Sequence, residues 1–168
     1  TFKLIVSATA LASGMTPDTV VDAPATLPLP GSSRPLSNSG DCGGTSIPLK
    51  QALVTSCNTA FAGLGMKLGQ DAVRAQAAKF GFGSGDELPQ LGAAKSNFPA
   101  SLDAAQLAQS SIGQFDVAAT PLQMAMVGAG IANNGVVMQP YLVQQVRSAD
   151  LTVLENANTK QFSQAMTA

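Results

Sequence analysis

The sequence predicts an α+β fold in which helices dominate and strands are few. Apolar segments with helical periodicity and capping residues recur from residue 2 to residue 135. After Pro140, apolar and polar residues alternate as they do in a half-exposed strand. Hydrophobic residues make up 45% of the 168 residues, which is enough to fill the core of one domain.

The first third of the chain predicts one central helix, a long loop and a short helix. Residues 2–13 are apolar on nearly every side of a helix, a pattern typical of a helix buried inside a domain. Residues 16–44 are rich in Pro, Gly, Ser and Asn and predict an extended loop without regular elements. Ser46 is then expected to cap a helix that has Pro48 in its first turn and ends at Thr55.

The rest of the chain predicts further helices and a strand pair. Each helix is assigned from a capping residue, a proline or glycine at its end and an apolar face between them. The predicted helices are 59–69, closed by Gly69; 71–80, opened by Asp71 and closed by Gly81; 102–111, capped by Ser101; 121–134, capped by Thr120 with Pro121 at its first position; and 160–166. A loop is predicted over 81–101, and residues 141–147 and 151–155 are predicted to be paired strands.

Composition excludes several classes of function. Charged residues are only 11% of the chain, the net charge is -1 and no basic cluster is present, so nucleic acid is not an expected partner. Histidine is absent, which removes the usual base for activating a serine and the commonest metal ligand. We therefore expect no metal and no cofactor. The apolar run at the start is shorter than the about 20 residues that span a bilayer, so no transmembrane segment is expected within these residues.

The two cysteines, Cys42 and Cys57, are too far apart in sequence for a CxxC redox motif, and two thiols cannot form a four-ligand zinc site. A disulfide between them, and hence an oxidising compartment, is the favoured interpretation. Two free buried thiols remain the alternative.

Lys3 and the Ser56-Cys57-Asn58 turn contain the residues that are best suited to catalysis. A lysine on an apolar helix either extends outward to water or is desolvated, and desolvation lowers its pKa because the charged form loses hydration. A neutral lysine amine can act as a base. A solvated surface lysine is the simpler alternative for Lys3 taken alone.

Several segments together resemble penicillin-binding proteins. TFKLIVSATALA resembles the helix that carries the S-x-x-K motif, with its serine falling immediately before Thr1, and Ser56-Cys57-Asn58 resembles the S-x-N motif. SSIGQFDVAATPLQMAMVGAGIANNG and MQPYLV resemble the long block that follows in this family. The set is most similar to class B proteins of the PBPA type, and the resemblance extends from Thr1 to about Val143.

This resemblance implies a serine D,D-transpeptidase domain of which residues 1–168 are a part, mainly its helical lobe. The serine before Thr1 would attack the D-Ala-D-Ala carbonyl, and Lys3 would take its proton. Ser56 would relay that proton to the leaving amine, and Asn58 would bind the substrate amide and Lys3. Gly113 and Gln114 would line the substrate site. The third motif of the family, K-T-G, is absent and is expected after residue 168.

The same resemblance implies the ligands, the location and the partners of the protein. Its expected ligands are peptidoglycan stem peptides and beta-lactam antibiotics, and its expected location is the extracytoplasmic face of the bacterial membrane. The expected membrane anchor lies outside this segment, and division or elongation proteins are possible partners.

Two alternatives to a transpeptidase are a beta-lactamase and a non-catalytic protein. A beta-lactamase needs a base for the deacylating water, and neither Glu87 nor Glu155 lies in a Glu-x-x-Leu-Asn setting. The non-catalytic protein would be a beta-lactam sensor or a division scaffold, and a residue other than serine before Thr1 would favour the scaffold.

Overall fold

The computed structural model describes residues 1–85, 88, 92 and 94–167. Within this part of the chain one helix is followed by four short strands, five helices and four further strands, and the strands form antiparallel pairs. The helices are α1 Lys3–Ala12, α2 Leu49–Val54, α3 Asn58–Leu68, α4 Gln70–Lys79, α5 Ala104–Ser111 and α6 Pro121–Ala132. The strands are β1 Val20–Asp22, β2 Thr26–Leu27, β3 Leu36–Ser37, β4 Ser46–Pro48, β5 Val136–Met138, β6 Gln145–Arg147, β7 Val153–Asn156 and β8 Gln161–Gln164.

α1 is the central helix, as the sequence predicted. Its apolar side chains are buried on several faces, and α2, α3 and α4 pack around it. Phe2, at its N-terminal end, stacks on Phe98 with ring centroids 5.4 Å apart and meets the edge of Phe82 at 5.5 Å. This aromatic cluster holds the start of α1 in place, because aromatic pairs contribute stabilising free energy in addition to that from the apolar surface they bury.

α3 and α5 pack closely through small residues. Gly65 on α3 faces Ser111 on α5, and a Cβ at Gly65 would lie 1.8 Å from the Ser111 hydroxyl oxygen. Ser111 in turn donates to the carbonyl of Leu107. The close approach of these helices therefore depends on the missing side chain at position 65.

The segment 16–44, predicted as a loop without regular elements, contains strands. β1 pairs with β4, and β2 pairs with β3, both antiparallel. The prolines that suggested a loop lie outside the strands, where no ladder hydrogen bond is needed. These prolines are Pro17, Pro24, Pro28, Pro30 and Pro35.

Ser46 does not cap α2, so that prediction was wrong. Ser46 is in β4 and pairs with Asp22, and the helix begins after Pro48. The first amides of α2 are satisfied by the preceding segment: Leu49 N donates to Thr19 O and Lys50 N to Pro17 O, each at 2.9 Å. A side-chain cap is unnecessary where loop carbonyls accept these hydrogen bonds.

α5 is capped by Asp103 rather than by the predicted Ser101. The Asp103 carboxylate accepts from Gln106 N at 2.8 Å, and the Gln106 side chain accepts from Asp103 N at 3.0 Å. This reciprocal capping box satisfies two otherwise unpaired amides, which Ser101 could not do. The prediction for α6 is confirmed, since Thr120 accepts from Gln123 N at 3.0 Å and Pro121 occupies the first helical position.

The segment predicted as a final helix is the strand β8. It pairs with β5, and Ala165, directly after it, is buried and donates its amide to Gly135 O. The amide of buried Gln76 donates to Ala165 O at 2.7 Å. Pairing with a distant strand outweighed local helix propensity here.

The predicted strands 141–147 and 151–155 are confirmed as an antiparallel pair. β6 is shorter than predicted, and β7 begins two residues later and ends one residue later than predicted. The predicted loop 81–101 has no helix in its described residues, and residues 86, 87, 89–91 and 93 lie outside the described part. No helix among the described residues is long and apolar enough to cross a membrane.

Candidate active site

Lys3 lies in the first turn of α1 and is only 7% exposed. Its position follows from Phe2, whose ring is locked into the aromatic cluster, so that the next side chain points toward the turn between α2 and α3. The surface alternative for this lysine is therefore wrong.

Ser56 begins the turn between α2 and α3 with a backbone φ of 55°. Such a left-handed conformation is uncommon for a residue with a side chain and persists where surrounding contacts compensate its cost. Here it directs both the carbonyl and the hydroxyl of Ser56 toward Lys3. The residue as a whole is exposed.

The Lys3 amine contacts three acceptors. Nζ donates to Ser56 O at 2.6 Å, to Ser56 Oγ at 2.9 Å and to Asn58 Oδ1 at 2.7 Å. An ammonium group has three N–H donors, and all three are used here. When the amine is neutral, the Ser56 hydroxyl can reverse and donate to Nζ, because a hydroxyl is both a donor and an acceptor. The contact can therefore carry a proton in either direction.

Burial lowers the pKa of Lys3 below its ordinary value. Desolvation penalises the ammonium form, and within the described part of the chain no carboxylate forms an ion pair with it. The ring centroid of Phe61 lies 5.9 Å from Nζ. The site thus favours the neutral amine more than water does.

Asn58 is held from two sides. Its Oδ1 accepts from Lys3, and its Nδ2 donates to Ser37 O at 3.2 Å. Ser37 belongs to β3, so the β2–β3 pair orients the amide. Nδ2 carries two N–H groups, and this contact uses one of them. The other can donate to a carbonyl oxygen of a bound molecule.

The predicted disulfide is present. Cys42 and Cys57 are bridged with a Cα–Cα distance of 5.5 Å, and the alternative of two free thiols is wrong. Because Cys57 stands between Ser56 and Asn58, the bridge ties the end of the long N-terminal segment directly to this turn.

Gly113 follows α5 and has a φ of 81°. A Cβ at this position would lie 3.0 Å from Phe2 Cβ, so the turn packs against the residue that precedes Lys3. Gln114 is exposed and donates its backbone amide to Gln109 O at 3.0 Å. No hydrogen bond recorded among the described residues joins Gln114 to Lys3, Ser56 or Asn58. A substrate role for Gly113 and Gln114 stays a prediction.

Sequence reasoning missed the contribution of Ser37 and Asn38. Ser37 accepts from Asn58, and the Asn38 side chain accepts from Thr59 N at 2.9 Å. Both contacts span 21 residues. No local pattern could have revealed them, since an asparagine in a Pro- and Ser-rich segment is ordinarily read as a turn residue. In the part of the chain that the structure describes, no cluster of His, Cys, Asp or Glu could hold a metal ion.

A helical lobe with a lysine–serine–asparagine cluster and no histidine defines a class of domains that activate a serine by means of a lysine. All residues, 1–168, match the family described as penicillin binding protein transpeptidase domain, and the chain belongs to that family.

The chain is similar to curated members of this family. It is 42% identical over 169 residues to the peptidoglycan D,D-transpeptidase PbpA of Mycolicibacterium smegmatis, covering 99% of the chain and 34% of that protein. It is 46% identical over 154 residues to PbpA of Mycobacterium tuberculosis, covering 90% of the chain and 31% of that protein. The chain thus spans about a third of the length of the curated relatives it matches.

Solved structures agree in fold. Penicillin-binding protein A from M. tuberculosis, as a penicillin G acyl-enzyme complex, has a TM-score of 0.92 at 42% identity and is covered to 39%. The D,D-transpeptidase domain of a peptidoglycan glycosyltransferase from Eggerthella lenta has a TM-score of 0.76 at 32% identity and is covered to 44%. In both comparisons 99% of this chain is covered. The α+β penicillin-binding transpeptidase fold expected from the sequence is confirmed.

Proposed function

We propose that the protein containing this chain is a serine D,D-transpeptidase that crosslinks peptidoglycan stem peptides through an acyl-enzyme. The observation that carries the proposal is the buried Lys3 amine, 2.9 Å from Ser56 Oγ and 2.7 Å from Asn58 Oδ1. The family membership and the acyl-enzyme complexes of the M. tuberculosis relative support it.

The nucleophile is a serine that immediately precedes Thr1. Residues three apart on a helix lie on one face, so this serine and Lys3 face each other when the helical turn extends back beyond the start of α1. Neutral Lys3 removes the serine proton as the oxygen attacks the carbonyl carbon of the penultimate D-Ala. The pKa of Lys3, lowered by burial, makes the neutral amine available at lower pH.

The proton then has a defined route. Lys3 passes it to Ser56 Oγ, whose own proton moves to the nitrogen of the departing D-Ala, so that the C–N bond breaks and D-Ala leaves as an amine. The second N–H of Asn58 Nδ2 donates to a carbonyl of the stem peptide. An amine of a neighbouring stem peptide then attacks the ester, and the same route in reverse takes its proton.

Beta-lactams acylate the same serine because their strained amide occupies the place of the D-Ala-D-Ala bond. A beta-lactamase also needs a base for water. Among the described residues no carboxylate contacts Lys3, Ser56 or Asn58, Glu155 is exposed on β7, and Glu87 lies outside the described residues. This favours a stable acyl-enzyme over rapid hydrolysis.

The disulfide supports an extracytoplasmic location, because such bridges persist in oxidising compartments. A membrane anchor outside this segment, division or elongation partners, and a K-T-G strand that completes the site belong to the same proposal.

The test uses the full-length protein, a fluorescent penicillin and a matched variant in which the residue before Thr1 is changed to alanine. We expect one stable covalent adduct on that residue, located by mass spectrometry, and none in the variant. With a stem pentapeptide and an acceptor amine, crosslinked product and free D-Ala should form in equal amounts.

Other outcomes separate the alternatives. Fast multiple turnover of a chromogenic cephalosporin would identify a beta-lactamase. A stable adduct without crosslinking would identify a sensor. A wild-type protein that forms no adduct would overturn the proposal.

A further inference from the structure

The first turn of α3 has an unusual source of capping. The residue at its N-cap position is Cys57, whose side chain makes no capping hydrogen bond to the backbone amides of the helix. Its sulfur is committed to the bridge with Cys42. The first amides of a helix have no partners within the helix and need an acceptor from elsewhere.

Asn38 supplies that acceptor from another segment. Its Oδ1 accepts from Thr59 N at 2.9 Å, the hydrogen bond that an N-cap side chain normally makes. Its Nδ2 donates to Thr59 Oγ1 at 3.0 Å and to Pro24 O at 3.2 Å. Thr59 is fully buried, so this contact joins the residue that follows β3 to the buried first turn of α3.

The neighbouring residue acts on the active site directly. Ser37 O accepts from Asn58 Nδ2, and this contact presents Asn58 Oδ1 to Lys3. Ser37 and Asn38 are consecutive, so the placement of one carbonyl depends on how the next side chain is anchored. Asn38 is therefore linked to Lys3 through one backbone step and two hydrogen bonds.

We propose that Asn38 is a positioning residue for acyl transfer: it caps α3 in place of Cys57 and holds the Ser37 carbonyl against Asn58. It does not touch the reacting atoms. It holds the Ser56–Asn58 turn in position beside Lys3 by accepting a hydrogen bond from Thr59 N, in the first turn of α3. The inference rests on the proposed transpeptidase function.

The test measures the rate constant and the amplitude of acylation of the full-length protein by a fluorescent penicillin. Asn38→Ala removes the cap and should lower the rate constant at least about tenfold, since small misplacements of a catalytic group have effects of this size or larger. Asn38→Asp keeps the acceptor for Thr59 N but loses the donations to Thr59 Oγ1 and Pro24 O, so its rate constant should fall clearly less than that of Asn38→Ala. Amplitude, corrected for total protein, reports the folded fraction and should fall less than the rate constant.

Asn133→Ala is the matched control, because Asn133 also donates from its side chain to a backbone carbonyl, Val136 O, but at the end of α6. It should leave the rate constant unchanged. A wild-type rate constant in Asn38→Ala, or a loss of amplitude alone, would overturn the positioning role. If Asn38→Ala yields no folded protein, Asn38→Asp decides, and a loss of tenfold or more there would reject the proposal.

These outcomes are distinct from a failure of the proposed function. If wild type forms no adduct, the transpeptidase proposal fails. If wild type is acylated and the Asn38 variants react equally fast, only the role of Asn38 fails.

Discussion

Asn58 Oδ1 accepts a hydrogen bond of 2.7 Å from Lys3 Nζ, across 55 residues of sequence. The bond joins the start of α1 to the start of α3 and places an uncharged acceptor, rather than a carboxylate, beside the amine. An amide stabilises the ammonium form much less than an opposite charge would. With asparagine at this position, the pKa of Lys3 stays lowered by burial and is not raised again by a neighbouring negative charge.

Changing Asn58 should separate orientation from charge. We expect Asn58→Ala to lower the acylation rate constant by about 10- to 100-fold, because Lys3 loses one partner and keeps the two on Ser56. Asn58→Asp should be slower at neutral pH because an anion beside Lys3 raises its pKa and keeps it protonated. Stopped-flow acylation with a chromogenic cephalosporin measures both, and an Asp variant as fast as wild type would contradict this reasoning.

Replacing Lys3 should abolish acylation and leave the fold intact. General-base catalysis typically contributes about 10²- to 10⁴-fold, so Lys3→Ala should react at least about a hundredfold more slowly. Lys67→Ala, on the exposed side of α3, is the control and should react like wild type. Thermal unfolding of both variants checks the fold. A Lys3→Ala protein that acylates at the wild-type rate would exclude this residue as the base.

The acylation rate should rise with pH through the pKa of Lys3. Burial lowers that pKa, so the rise should be centred below the ordinary lysine value of about 10.4. Lys3 acts as a base only when its amine is neutral. The acylation rate should therefore fall as the pH falls through the pKa of Lys3 in the folded protein. None of the ionisable side chains on the helices packed around α1 forms a hydrogen bond or an ion pair with Lys3. These side chains are Lys50, Lys67, Asp71, Arg74 and Lys79.

A rate profile from about pH 5 to pH 10, taken with wild type and with Asn58→Asp, checks this. The wild-type rise should occur at lower pH than that of the variant. Coincident profiles would show that the titrating group is not Lys3.

The disulfide should be formed in every molecule and should stabilise the fold. Thiol labelling of denatured, unreduced protein, located by peptide mapping, should find no free thiol at Cys42 or Cys57. Replacing both by serine should lower the free energy of unfolding by up to about 3 kcal/mol in the chain-entropy model for a loop of this length. Denaturant unfolding measures that change. Two free thiols per chain would reject the bridge.

Two glycines on α3 should respond to alanine in opposite directions. Gly65→Ala should destabilise the protein by about 1–3 kcal/mol because the new Cβ would overlap the Ser111 side chain. Gly63→Ala meets nothing within 4 Å and should stabilise by about 0.5–1 kcal/mol through helix propensity. Adding Ser111→Gly to Gly65→Ala should recover part of the loss. Equal effects at the two positions would contradict the close α3–α5 contact.

The sequence by itself determined the central helix, α3, α4, α6, the cysteine pair and the family. These features depend on local periodicity, on caps such as Thr120, or on short motifs whose residues are contiguous. The burial of Lys3 did not follow from the residues, because a lysine on an apolar helix can also extend outward to water, and neither did its partners.

Only the tertiary structure decided the contacts that cross the chain. β8 is a strand because β5 lies beside it, Ser46 pairs with Asp22 instead of capping α2, and Asn38 caps a helix 21 residues away. Hydrogen bonds of this kind depend on distances that arise when the core packs, so residue type and spacing carry no record of them. The residues of the proposed site could therefore be selected from short motifs, while the contacts that hold them in place were visible only in the folded structure.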